Sequence, residues 1–294
     1  MAESTRTRPI HAAAGALLRT AAACALLLIT GIAGAEEQTS ERAEALAAEV
    51  LDAAGYAELV DQMPAQMMAG MRSNAAPTAE AEQFNDLVER RMRAAHDAEA
   101  LFASAASSLA SQLDEEALQS LASWYRSELG ARITAAETAA GDPAVMEDMA
   151  ATAPALMRDA ERMVIAQRIL DAASVTDVVM AMQEEAAAAT FLVVARNAPR
   201  EAKPDLERFR KQLEEQAPMM RIQISQMMLV STLYSQREIE TEGMVAYAEF
   251  LERPESQVLI GVVNEGVRET SRGLLQAIVD VIEEAVRKQE KNAA

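Results

Sequence analysis

The chain has 294 residues, a net charge of −19, two His, one Cys and few aromatics. That length allows one large or two small domains with real cores. The acidity opposes binding to nucleic acid or anionic membrane surfaces and reads as a solvated, soluble surface.

The first element is a targeting segment. Arg6, Arg8 and Arg19 form a positive region, 21–32 (AAACALLLITGI) is a short apolar core, and Ala33-Gly34-Ala35 is a small-residue cleavage site before Glu36. That order is the secretory signal pattern. The apolar run to Ala35 is short of the ~20 residues that a spanning helix needs. Cleavage near Ala35 removes three Arg and one Glu, taking the net charge to −21, and also removes Cys24 and His11. The mature protein then has no disulfide, thiol nucleophile or thiolate metal site. Its composition is dominated by Ala, Leu, Met, Glu, Gln and Arg, with no period-two alternation, so the expected class is all-α.

Residues 49–63 (EVLDAAGYAELVDQM) predict a helix, a break at Gly55 and a second helix restarting near residue 57. The second helix continues through DQMPAQMMAGM at 61–71, where four methionines fall within eleven residues. Leu59, Val60, Met63, Met67 and Met71 share a ~120° arc with Met68 just outside, an ordinary buried stripe. The alternatives are a deformable protein-binding surface and a Met-only Cu(I) site, since thioethers select that ion. Core packing is preferred, because no neighbouring His or Cys strengthens the metal reading.

After Pro77-Thr78 a long helical stretch is expected over 79–113. It holds His96, the only mature histidine, which with Glu99 three residues on could offer two metal ligands on one face, fewer than a site needs; among Arg91, Arg93, Asp97 and Glu99 it reads as a solvated face. Residues 113–133 (LDEEALQSLASWYRSELGARI) predict a leucine-spaced helix ending at Trp124-Tyr125, then a restart capped by Ser127. Asp142-Pro143 opens a helix towards Ala173, with Pro154 as a kink or break.

Residues 168–182 (RILDAASVTDVVMAM) then repeat 49–63 at an offset of 119: Leu51, Asp52, Ala53, Ala54, Val60 and Met63 meet identical residues, and Gly55 meets Ser174. Positions 199–204 (PREAKP) predict a loop, followed by a helix from Asp205 interrupted near Pro218. Residues 239–259 (IETEGMVAYAEFLERPESQVL) repeat 113–133 at an offset of 126, so that Leu113, Leu118, Leu121, Trp124 and Ile133 face Ile239, Met244, Tyr247, Phe250 and Leu259. The order of blocks is A, B, A, B, the mark of tandem duplication. Beyond Pro254 the chain reads as helical nearly to its end, with KQEKNAA as a frayed tail.

A leucine-spaced helix ending in an aromatic pair, followed by Ser-Pro-x-Gly and another helix, resembles the bacterial exported family named domain of unknown function 2059. Residues 124–130 (WYRSELG) carry that signature except for Glu128 in place of Pro; 250–256 (FLERPES) keep Pro254 but lose the Ser and the Gly. The resemblance implies a secreted or periplasmic helical protein and implies no activity.

No constellation for chemistry stands out. Ser127 has no His or Lys nearby to activate it. Glu115-Glu116, Glu184-Glu185 and Glu214-Glu215 are sequence neighbours that diverge on a helix and cannot oppose each other. There is no phosphate loop, GxSxG elbow or HExxH. The expectation is therefore a signal peptide at 1–35 and two related multi-helix repeats, 36–155 and 156–294, packed as a bundle or short superhelix. No catalytic, cofactor or metal residues are assigned. The leading function is non-enzymatic binding or scaffolding of another envelope protein or peptide in the periplasm, through apolar grooves between helices, with no nucleic acid and no transmembrane segment after cleavage. Two alternatives stand beside it. One is a hydrolase whose convergent carboxylates, three or more with raised pKa values, meet only in the fold. The other is a holdase for exported chains, with an exposed apolar patch well above ~600 Å².

Overall fold

The computed structural model describes residues 40–74, 78–198 and 204–293. The expected signal segment and residues 199–203 of the expected loop lie outside them. Twelve helices and one 3₁₀ turn account for the described residues, with no strand among them. They are α1 (40–53), α2 (Tyr56–Asn74), α3 (Ala79–Ala95), α4 (Ala98–Gln112), α5 (Glu115–Tyr125), α6 (Glu128–Ala140), the turn Pro143–Val145, α7 (Met146–Leu156), α8 (Ala160–Ala173), α9 (Val175–Asn197), α10 (Leu206–Ser235), α11 (Thr241–Leu251) and α12 (Pro254–Ala293). The class is all-α, as the composition implies, and α12 is the spine against which α2, α3, α4, α5, α8, α9 and α11 pack.

Short polar side chains set most of the starts. Thr78, Asp97, Asp114, Ser127, Asp159 and Asp205 each accept a backbone N–H from the first turn of α3, α4, α5, α6, α8 and α10. Such caps each contribute about 1 kcal/mol. The Asp97 cap explains a departure from expectation: the stretch 79–113 is two helices, because the backbone leaves helical geometry at His96 and Asp97 restarts it. The expected interruption at Pro218 does not occur, and α10 runs unbroken through it. Pro218 and Glu214, whose carbonyl loses its helical partner, are both exposed, so water satisfies the freed group. Pro154 likewise lies inside α7, with the break following at 157–159. The expected frayed tail is instead helical through Ala293.

The main core mixes both halves of the sequence. Leu51, Tyr56, Leu118 and Leu121 pack in one cluster with Ile169, Met244, Phe250 and Leu259. A second cluster holds Met63, Met68, Val88 and Met92 against Leu274 and Val281 of α12. The buried stripe of α2 is therefore Tyr56, Val60, Met63 and Met68. Leu59 is exposed, and Met67 and Met71 are half-buried. The stripe is rotated from the expected arc because α12 and α3 cover α2 from the Met68 side.

Corresponding positions of the two sequence blocks share local geometry. Gly55 and Ser174 have φ of 78° and 54°, the positive φ values among the described residues, and each sits where one helix hands over to the next. The offset of 126 carries α5 onto α11 residue for residue and the start of α6 onto that of α12. Glu49 of α1 pairs with Arg126 after α5, while Arg168 of α8 pairs with Glu252 after α11 at 2.5 Å. These are matched positions with the charges exchanged. Trp124 and its counterpart Phe250 stack on each other, centroids 4.4 Å apart and planes 7° from parallel.

Candidate functional site

Three places hold accessible or chemically unusual side chains. The most apolar is the groove between α7 and α10. Met146, Met149 and Ala150 form one wall and Gln223, Met227 and Val230 the other, around about 430 Å³. Met146 is 54% and Met227 51% exposed, with Met219 and Ile222 similarly open on the same α10 segment. Below the groove Met149, Ala140 and Tyr234 are buried together, and the Tyr234 hydroxyl donates to Asp148 at 2.6 Å, tying α7 to α10. The walls are thus held while the methionines above them remain free to rearrange. A smaller cleft of about 270 Å³ lies between α9 and α10, lined by Met180, Ala186, Ala187, Leu213, Ala217 and Met220, with Glu184 and Thr190 at its edge.

Helix α9 is long and apolar enough to cross a membrane by length and composition alone, and Leu192 and Val194 are about half exposed. Against a span, it carries Glu184 and Glu185 at mid-length, and Glu185 is bonded by Arg272 of α12 at 2.9 Å. It also packs along α10 and α12.

The second place is Glu137 on α6. Its carboxylate accepts hydrogen bonds from the Tyr247 hydroxyl at 3.2 Å and from Gln236 Nε2 at 3.3 Å. The residue as a whole is exposed. Protein mass packed around the carboxylate nonetheless raises its pKa to about 7, against the two hydrogen bonds, which lower it. The same burial, with the Glu137 charge, pushes the Tyr247 and Tyr125 hydroxyls upward. Glu89, Glu252 and Glu284 move the other way, each held low chiefly by hydrogen bonds from Arg or Lys. Glu137 therefore stands with two tyrosines and a glutamine rather than with other raised acids. The only signal for it in the sequence is its position one turn from Ile133 and Ala140, both of which are buried.

The third place is a cavity of about 410 Å³ between α2 and α3, lined by Asp61, Pro64, Ala65, Met68, Glu89, Met92, Arg93, His96 and Ala98. His96 is not on a solvated face. It ends α3, is half-buried, also lines a second cavity against α12, and its Nε2 is buried without a hydrogen-bond partner.

The residues singled out in the sequence are dispersed. Ser127 caps α6, accepting from Gly130 N at 3.0 Å and donating to the Trp124 carbonyl at 2.6 Å. Glu115 takes Arg42 at 2.8 Å, and Glu214 and Glu215 point to solvent. Met67 and Met71 pack on the second core cluster. Gly130 was not singled out for its own role, although the signature ends on it: a Cβ there would lie 2.2 Å from the Trp124 oxygen.

Residues 99–159, from α4 through α7, match the profile of the family described as "Uncharacterized protein conserved in bacteria (DUF2059)". The resemblance read from Trp124 to Gly130 thus holds over that stretch. Comparison with curated proteins and with solved structures gave no match.

Proposed function

We propose that this chain, whose residues 99–159 match the model of a bacterial family described as uncharacterized, is an exported, non-enzymatic binding protein of the cell envelope. In this reading the α7–α10 groove takes up an apolar helical or extended segment of another envelope protein. The observation that carries it is the groove itself: half-exposed Met146 and Met227 stand over a floor fixed by the Tyr234–Asp148 hydrogen bond. Flexible thioethers suit partners whose side chains vary. The two matched blocks, with their exchanged Glu49–Arg126 and Arg168–Glu252 pairs, support descent from one duplicated unit. The second unit supplies α10, the groove's long wall. Export rests on the Arg6 to Ala35 signal pattern. Sequencing the N-terminus of the envelope fraction should give a start at or near Glu36, and an intact Arg6–Arg19 segment on a cytosolic species would overturn that part.

Binding is tested by placing a photo-crosslinking residue at Met227 or at exposed Glu99 in cells. The proposal expects one discrete envelope protein attached at Met227 and not at Glu99. No adduct at Met227, or the same adducts from both positions, would refute the groove assignment.

A further inference from the structure

We propose that the cavity between α2 and α3 is a binding site for one soft monovalent metal ion, Cu(I), held by the thioethers of Met68 and Met92 and the imidazole of His96. The three residues come from two helices and the break that follows them. Met92 and His96 lie four residues apart at the end of α3, and Met68 comes from α2; all three line the same space of about 410 Å³. Met68 and Met92 are 2% and 0% exposed. Both thioether side chains are thus withdrawn from water.

The imidazole supplies the second observation. His96 Nε2 is hidden from solvent and has no hydrogen-bond partner. A buried polar atom left in this state costs about 1–3 kcal/mol, and a ligand at that nitrogen would offset the cost. Thioether sulfur with imidazole is a donor set for Cu(I) rather than for Zn(II) or Ca(II), which take thiolate, imidazole or oxygen. Among the described residues no three His, Cys, Asp or Glu side chains gather into a hard-donor site. Glu89 shares its one charge between Arg93 and Arg72, each at 2.5 Å, and Asp61 on the cavity wall brings these four groups to zero net charge, so no net positive charge opposes a cation.

Sequence spacing pointed instead to Met63, Met67, Met68 and Met71, all on one helix, and could not bring in Met92 or His96. The α2–α3 hairpin selects a different trio. This site is independent of the α7–α10 groove.

Anaerobic Cu(I) titration of the purified mature protein against a colorimetric Cu(I) chelator tests the inference. The wild-type chain is expected to bind one equivalent. Met92→Leu and His96→Gln should each weaken that binding at least tenfold, while Met227→Leu leaves it unchanged. Leu for Met roughly conserves volume, so folding survives, and circular dichroism checks this for each variant. Should Met92→Leu fail to fold, the Cε methyl NMR resonances of Met68 and Met92 in the wild type, followed on addition of Ag(I), provide the second readout. They are expected to shift while those of Met219 and Met227 do not. Absence of one-equivalent binding, equal binding in folded Met92→Leu and His96→Gln, or Ag(I) shifts confined to Met219 and Met227 would overturn the site.

Discussion

Gly130→Ala is the sharpest probe of the turn that joins α5 to α6. An added Cβ would lie 2.2 Å from the Trp124 oxygen, 3.0 Å from its carbonyl carbon and 3.2 Å from Ser127 Oγ. The carbonyl is held in place. It accepts from Ser127 N at 2.9 Å and from Ser127 Oγ at 2.6 Å, and its residue is stacked on Phe250. Relief requires α6 to move away, which breaks the Ser127 cap (~0.5–2 kcal/mol) and loosens the aromatic stack (~0.5–1.5 kcal/mol). The helix propensity gained by replacing Gly returns about 1 kcal/mol. The net expectation is a loss of up to about 2.5 kcal/mol, or several degrees in Tm for a chain of this size. Gly261→Ala is the control. That glycine lies in α12 with nothing within 4 Å of the added carbon, and it should gain ~0.5–1 kcal/mol. Urea denaturation of both variants decides the matter: if Gly130→Ala is as harmless as Gly261→Ala, the packing account of the signature fails.

Three further outcomes follow from the same geometry. Trp124→Ala removes a half-buried ring that stacks on Phe250 and should cost about 3 kcal/mol by urea denaturation, more than the ~0.5–2 of Ser127→Ala. Ser174→Gly should stabilise by about 1 kcal/mol, because a left-handed conformation at φ 54° suits glycine, and Gly55→Ser should lose a similar amount. Glu137 has a folded-state pKa near 7, above its ordinary value of 4.5, so its protonated form favours folding. That contribution is complete below pH ~4.5 and is lost as pH rises through 7. The Tm of Glu137→Gln relative to wild type should therefore climb between pH 5 and 8, and a constant difference would refute the desolvated carboxylate.

Helix propensity, caps and block periodicity make most of the fold legible in the sequence, since Ser127, Asp205 and Pro254 act locally where they stand. The split at His96 is not legible because a two-residue escape from helical geometry, at His96 and Asp97, leaves apolar spacing intact on both sides. Pro218 misled in the opposite sense, since its cost depends on whether water reaches the freed carbonyl, which only the packing decides. The candidate sites were the least legible. Met146 meets Met227, Glu137 meets Tyr247 and Met68 meets Met92 across long or inter-helix separations that no window of sequence contains.

The central claim is that the α7–α10 groove is the binding surface. Its most direct measurement is the affinity of the purified protein for the envelope partner attached at Met227, compared with that of Met227→Glu. The side chain is 51% exposed, so the substitution should leave Tm within about 1–2 °C of wild type. Placing a carboxylate against an apolar segment should weaken binding at least tenfold. An affinity unchanged by Met227→Glu in a fully folded protein would contradict the account.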